Sequence, residues 1–211
     1  MAEAPKVLYY GGTFDPVHLG HIEPVIALAE SVGATELNYL PCYIPPHKAP
    51  ARVTGEHRVN MLALALKQAQ KHTQINLKID KYELDKGGAS YTVQTLRHLN
   101  RDCDSDTLGF VIGMDSLLSL TSWVEWQEIL TLCQLYVMKR PGYELNTQAL
   151  APQVQAWLKK RIHVIDTPVR DVSSTHVRQQ LMLNQTPSMH EMAAEVLAYI
   201  ERHQLYRSPR L

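Results

Sequence analysis

Val7-Leu8-Tyr9-Tyr10-Gly11-Gly12-Thr13-Phe14-Asp15-Pro16-Val17-His18-Leu19-Gly20-His21 passes from strand through turn to helix start, and the rest of the chain is arranged around it. Val7 to Tyr10 is a short β-branched and aromatic run of the kind that forms a strand, and Gly11 and Gly12 are expected to end it. Neither glycine has a Cβ, so the backbone can turn sharply and a bulky anion can approach its N–H groups. Pro16 suits a turn or a first helical position. Leu19 to Ser31 then carries apolar residues at helical spacing (Leu19, Ile22, Ile26, Leu28, Ala29), with Pro24 as the contrary signal. A helix starting near Val17 places His18 and His21 on one face of its first turn, beside unpaired backbone N–H groups and the positive end of the helix dipole. That arrangement suits phosphate. Taken singly, the glycines are a turn and the histidines packing residues; together at one strand-to-helix junction they favour a nucleotide site.

The chain has 211 residues, enough for one sizeable core and short for two full domains, so one domain over 1–211 is expected, with its C-terminal helical end at about 174–205. Hydrophobic residues at 45% and charged residues at 20% are ordinary globular values, and no apolar stretch of ~20 residues is present to span a bilayer. The N-terminus lacks a basic segment followed by an apolar run, so a soluble, cytoplasmic protein without membrane partners is expected. Twenty-one basic and twenty-one acidic side chains balance, which argues against a general nucleic-acid binder and leaves phosphate recognition to local charge. Cys42, Cys103 and Cys133 are widely spaced and form no Cys-x-x-Cys pair, so reduced, packed thiols are expected and neither a disulfide framework nor a protein-built metal site.

Glu36 to Cys42 reads as a second strand, followed by a stiff loop in which Pro41, Pro45, Pro46 and Pro50 forbid regular structure. After a strand of an α/β sheet such a loop sits where ligands bind, so His47 or Lys48 is either a surface residue or a contact to phosphate or carboxylate. Thr54 to His72 reads as an amphipathic helix capped by Thr54, with Val59, Leu62, Leu66 and Ala69 inward and Arg58 as a solvated charge. Ile75 to Ile79 alternates as a strand. Thr92 is expected to cap the next helix (Val93, Leu96, Leu99), and its backbone is a candidate ligand contact.

Leu108 to Ile112 is a short apolar run of the buried-strand kind, ending at Gly113-Met114-Asp115. Asp115 there is either a helix cap or a carboxylate for a ribose hydroxyl or a metal-bound phosphate. Trp126, in register with Leu130, is expected in the core, while Trp123 is placed to offer its ring to a flat aromatic ligand. Leu135 to Met138 and His163 to Ile165 read as strands, with a helix from Thr147 to Lys159 between them and a last helix from Met189 to His203. Ser173-Ser174-Thr175 ahead of Val177 and Leu181 is an N-cap signal; with Arg178 one turn on, it is also a phosphate cradle. The alternation of strands and helices predicts an α/β fold, a Rossmann-like doubly wound parallel sheet with helices on both faces.

The segment Gly11 to His21, with His18-Leu19-Gly20-His21, resembles the (T/H)-x-G-H signature of a nucleotidyltransferase superfamily, and Val172-Ser173-Ser174-Thr175-His176-Val177-Arg178 resembles its Ile-Ser-Ser-Thr-x-Ile-Arg element. Pro45-Pro46-His47-Lys48, Ser90-Tyr91-Thr92, Ile112 to Leu117, the Trp123 segment and Arg140-Pro141-Gly142-Tyr143 are similar, in the same order, to stretches of bacterial nicotinate mononucleotide adenylyltransferases. The resemblance implies AMP transfer from ATP to nicotinate mononucleotide, giving nicotinate adenine dinucleotide and pyrophosphate in NAD biosynthesis, with Mg²⁺ accompanying ATP. It further implies that Gly11, Gly12, Thr13, His18, His21, Gly113, Asp115, Ser174, Thr175 and Arg178 bind ATP, with His18, His21 and Arg178 catalytic. Lys48, Thr92, Trp123 and Val124 would bind the acceptor. The bacterial family often has an aromatic residue where Val124 stands, a change that a backbone contact tolerates.

The alternatives are a related pantetheine-phosphate adenylyltransferase or cytidylyltransferase, and a nucleotide-binding regulatory module without chemistry. The first group usually lacks the Trp123 segment; intact His18, His21, Ser174 and Arg178 speak against the second. Whether the chain is a monomer or a homo-oligomer is not written in its sequence.

Overall fold

The computed structural model describes residues 7–46, 49–101, 104–139, 142 and 145–207. In chain order the elements are β1 (Val7–Gly12), α1 (Leu19–Ser31), β2 (Glu36–Pro41), α2 (Gly55–Ala69), β3 (Asn76–Ile79), α3 (Tyr82–Lys86), α4 (Thr92–Leu99), β4 (Leu108–Gly113), α5 (Met114–Leu118), α6 (Trp126–Leu132), β5 (Gln134–Met138), α7 (Pro152–Gln155), β6 (Ile162–Ile165), α8 (Ser174–Met182) and α9 (Ala194–Arg202). The strands form one six-stranded sheet in the order β3-β2-β1-β4-β5-β6, and every pairing is parallel. This is the Rossmann-like α/β fold.

Parallel strands need crossovers, and a sheet covered on both faces must be apolar on both. The strand residues divide accordingly at period two. Leu8, Leu37, Tyr39, Val111, Tyr136 and Met138 join the core beneath α1, α2, α8 and α9. Leu40, Leu108, Phe110, Ile112, Leu135, Val137 and Ile162 join the opposite core beneath α4, α5, α6 and α7. Chain order reverses direction at β1, whose neighbours are β2 on one side and β4 on the other. Between their C-terminal ends lies the crevice where open α/β sheets take ligands.

Several boundaries differ from the sequence expectations, each for a local reason. Gly11 and Gly12 do not end β1 but continue it, pairing with Leu40 and Pro41. The left-handed residue of the following turn is Phe14 (φ 51°), and a Cβ at Gly12 would stand 2.8 Å from its ring. The first helix starts at Leu19 rather than Val17, with extended His18 as its cap residue. Thr92 is the first helical residue of α4, whose cap position is Tyr91. The expected helix over Thr147 to Lys159 is a short 3₁₀ turn (Thr147–Ala149) followed by α7, because Pro152 cannot continue a preceding helix and suits a first position instead. The last helix begins at Ala194, since Met189 to Ala193 forms turns whose Glu191 carboxylate accepts from the Ser188 amide at 2.9 Å. Trp126 is buried as expected, as are Cys42 and Cys133; Cys103 lies outside the described residues. Burial pushes the Cys133 thiol up to about 12. Among the described residues no helix is long and apolar enough to cross a membrane.

Gly109 shows how closely the central strand is covered: a Cβ there would lie 2.2 Å from Leu8 Cδ2 and 3.0 Å from the Tyr136 ring. Gly109→Ala is expected to destabilise by about 1–3 kcal/mol through overpacking, lowering the melting temperature by roughly 2–10 °C. An unchanged thermal melt would contradict this packing.

Candidate active site

An open cleft of 920 Å³ lies over the C-terminal ends of β1, β4 and β5. Of the residues nominated from sequence, Gly11, Gly12, Thr13, His18, His21, Thr92, Gly113, Asp115, Trp123, Val124, Ser174, Thr175 and Arg178 all line it. Lys48 lies outside the described residues.

One end of the cleft is built by two helix starts brought face to face. His18, at the cap of α1, and His21, one turn in, stack with ring centroids 3.7 Å apart. The His18 N–H donates to Nδ1 of His21 at 3.3 Å. Accepting there places the His21 proton on Nε2 in the neutral ring, so the far side of that ring is a donor. Leu19 N–H is taken by the Glu191 carbonyl at 2.8 Å, so not all of the first-turn amides of α1 are available to a ligand, as the sequence alone suggests. Facing α1, α8 begins at Ser174 after Ser173, whose Oγ accepts from the His176 N–H at 3.2 Å. The Ser174 hydroxyl donates to the Pro16 carbonyl at 2.9 Å, and Arg178 donates to the Asp15 carbonyl at 2.6 Å and to Thr175 Oγ1 at 3.1 Å. Residues separated by 158 and 163 positions in sequence thus share one turn. The positive ends of two helices meet over it, an electrostatic setting for an anion.

The other end joins three segments. The loop after β2 is tied to the segment before α4 by two bonds: Tyr43 N–H donates to Ser90 Oγ at 3.0 Å, and Ser90 N–H to the Ile44 carbonyl at 2.9 Å. Arg97 on α4 pairs with Glu128 at 2.8 Å and with Glu125, holding α4 against the turn that carries Trp123 and Val124. Glu125 adopts φ 50°, left-handed for a residue with a side chain, which is how the chain turns from Val124 into α6. Trp123 is half-buried with its body against the core beneath α6, and Val124 is exposed.

Sequence reasoning missed two residues here and misread one. Arg58 is no solvated charge: it is 2% exposed and donates to the Thr13 carbonyl at 2.7 Å. The signal was present, because Arg58, Met61, Leu62, Ala65 and Leu66 form one helical face and all five are buried. Asp15 carries no motif-level signal of its own, yet it is 4% exposed and accepts from the Arg52 N–H at 2.7 Å and the Tyr206 hydroxyl at 2.8 Å. Burial and the Asp15 carboxylate push the Tyr206 phenol far above its ordinary range. Tyr206, 191 residues away, carries no local motif. Two further cations line the cleft while pairing at its rim, Lys139 with Asp166 at 3.0 Å and Arg170 with Glu23 at 2.5 Å. Arg52, Lys139, Arg170 and Arg178 thus gather in the cleft lining, beside the carboxylates of Asp15, Glu83 and Asp115.

The sequence model of the cytidylyltransferase-like family matches residues 9–180. A protein of Pseudoalteromonas atlantica named "Probable nicotinate-nucleotide adenylyltransferase" is 39% identical, covering 96% of this chain and 95% of its own length. The chain belongs to the nicotinate-nucleotide adenylyltransferase family. A family member from Pectobacterium atrosepticum is 37% identical over 94% of this chain and 97% of its own. Solved structures of the Plasmodium falciparum nicotinic acid mononucleotide adenylyltransferase share the fold. One, complexed with APC, has TM-score 0.75 and 16% identity, covering 95% of this chain and 96% of that one. Another, complexed with NaAD, has TM-score 0.74 and 18% identity, covering 96% and 97%.

Gly20 tests the geometry of the histidine pair, since a Cβ there would stand 3.0 Å from His18 Nδ1 and 2.9 Å from Val172 Cγ1. Gly20→Ala is expected to reduce kcat by roughly 10–100-fold through displacement of the ring, with circular dichroism of the fold retained. A variant with wild-type kcat would show that the position of His18 does not matter to turnover.

Proposed function

We infer that this chain, as one nucleotidyltransferase domain over 1–211, transfers AMP from ATP to nicotinate mononucleotide, forming nicotinate adenine dinucleotide and releasing pyrophosphate. The observation that carries the reading is the meeting of the starts of α1 and α8 over the Asp15–Pro16 turn, through Ser174 and Arg178. A mononucleotide phosphate is already a competent nucleophile at neutral pH, so the reaction needs no side-chain nucleophile. What the protein supplies is position and charge stabilisation at the α-phosphate.

In this reading the Gly11–Thr13 backbone and the rings of His18 and His21 hold the α- and β-phosphates, with Nε2 of His21 donating to the oxygen on which charge grows. Ser174, Thr175 and Arg178 grip the triphosphate and the departing pyrophosphate from the opposite side. Arg58, buried beneath Thr13, adds a fixed positive charge behind the loop without touching the ligand. Gly113 and Asp115, at the end of β4, lie along the adenosine. The acceptor ring stacks on Trp123, and its carboxylate meets the N–H groups of Thr92, at the first turn of α4, and Val124. Lys48 would meet the acceptor phosphate. Two backbone donors suit a carboxylate and oppose the NH₂ of an amide, so nicotinate is favoured over nicotinamide.

The described residues contain no group of three His, Cys, Asp or Glu that could hold a metal ion by itself. Mg²⁺ would arrive with ATP, and Asp115, a carboxylate in the cleft lining, would be the residue to meet it. The ion would neutralise phosphate charge. The reading places the protein in the cytoplasm.

Pyrophosphate release is the direct assay, with ATP, Mg²⁺ and either nicotinate or nicotinamide mononucleotide. Release with nicotinate mononucleotide, falling by about 10²–10³-fold in His18→Ala, is the expected result. Release with neither acceptor would overturn the reading, and preference for pantetheine phosphate would move the chain to a different branch of the superfamily.

A further inference from the structure

The C-terminal segment after α9 returns to the cleft and reaches a side chain that no motif points to. Tyr206 adopts φ 61° and Gln204 φ 53°, left-handed at two non-glycine positions within three residues. Such conformations are strained for residues with a side chain and persist where surrounding contacts over-determine them. The contact here is the Tyr206 hydroxyl on Asp15 Oδ1 at 2.8 Å. The second carboxylate oxygen of Asp15 accepts the Arg52 N–H at 2.7 Å, and its backbone carbonyl accepts Arg178 at 2.6 Å. One nearly buried residue therefore joins the chain end, the loop that follows β2 and the arginine of α8.

Resting on the function proposed above, we propose that Tyr206 is a positioning residue for catalysis. By holding the Asp15 carboxylate, the segment after α9 sets the turn that presents Arg178 to the triphosphate and anchors, through the Arg52 N–H, the loop after β2, to which the function proposed above gives the acceptor phosphate. The phenol touches neither substrate; it acts through Asp15. The loss of its hydroxyl leaves one oxygen of a buried carboxylate without its donor. Asp15 then reorients, and with it the two segments it fixes. Because those segments serve different substrates, one deletion is expected to raise both KM values together, a pattern that weakening of a single subsite does not give.

The test is steady-state kinetics of the full chain for wild type, Tyr206→Phe, Asp15→Asn and the double variant. All four are assayed at one temperature, about 20 °C below the lowest of their melting temperatures, so that folding does not limit the rate. Tyr206→Phe is expected to raise KM for ATP and for nicotinate mononucleotide by roughly tenfold each while kcat changes by less than about twofold, the hydrogen bond to a charged group being among the stronger ones lost. In the Asp15→Asn background the same change is expected to alter kcat/KM by less than about twofold, because the carboxylate through which the phenol acts is already gone. Wild-type kinetics in Tyr206→Phe would overturn the proposal, leaving the tail only a structural role. Multiplicative effects in the double variant would also overturn it, placing the action of Tyr206 elsewhere. An inactive wild type would instead defeat the functional reading itself.

Discussion

Two hydrogen bonds onto consecutive carbonyls, from Arg178 to Asp15 and from Ser174 to Pro16, hold the cleft together. They are the points at which the end of the fold closes on its beginning. The sheet alone would leave the turn after β1 open to solvent at the switch point. α8 covers it and, in doing so, brings a second helix start to the same place. Backbone carbonyls in such a turn need donors, and here a serine and an arginine supply them while their own segment becomes one wall of the site. Stability and site geometry are therefore the same contacts.

The electrostatics follow from that closure. A balanced chain gives no long-range attraction for a nucleotide, so the field must be local. Helix starts supply partial positive charge without titrating, and Arg58 supplies a full one behind the Thr13 carbonyl, where solvent is excluded. Asp15, close by and buried, is held by neutral donors, the Arg52 amide and the Tyr206 phenol. That carboxylate lines the cleft and ties the loop after β2 and the segment after α9 to the turn. The opposite end is built from weaker materials. Arg97 with Glu125 and Glu128 is an exposed ion-pair cluster; pairs of that kind add little stability, and its effect is to fix the angle at which Trp123 and Val124 meet α4.

How much of this was legible in the sequence depended on whether the signal was local. Strand and helix positions followed from period-two and helical patterns, and the fold class from their alternation. The α1 and α8 starts announced themselves through His18-Leu19-Gly20-His21 and Ser173-Ser174-Thr175. Arg58 was readable but misread: its place among Met61, Leu62, Ala65 and Leu66 outweighs its charge. The helix expected across Thr147 to Lys159 is broken at Pro152, which starts the short α7 instead of continuing the turn before it. Tyr206 and Arg97 were beyond reach, since each matters only for what the fold sets beside it, Asp15 from the far end of the chain and Glu125 from the neighbouring helix.

On the proposed function, the cleft positions two reactants for direct displacement at the α-phosphate and contributes no nucleophile of its own. The stereochemistry at phosphorus tests it most directly. With ATP carrying sulfur in place of one α-phosphate oxygen in a single configuration, and nicotinate mononucleotide as acceptor, one in-line displacement inverts the centre. Inversion in the dinucleotide product is the expected result. Retention would require two successive displacements through a covalent adenylyl-enzyme, and would contradict it.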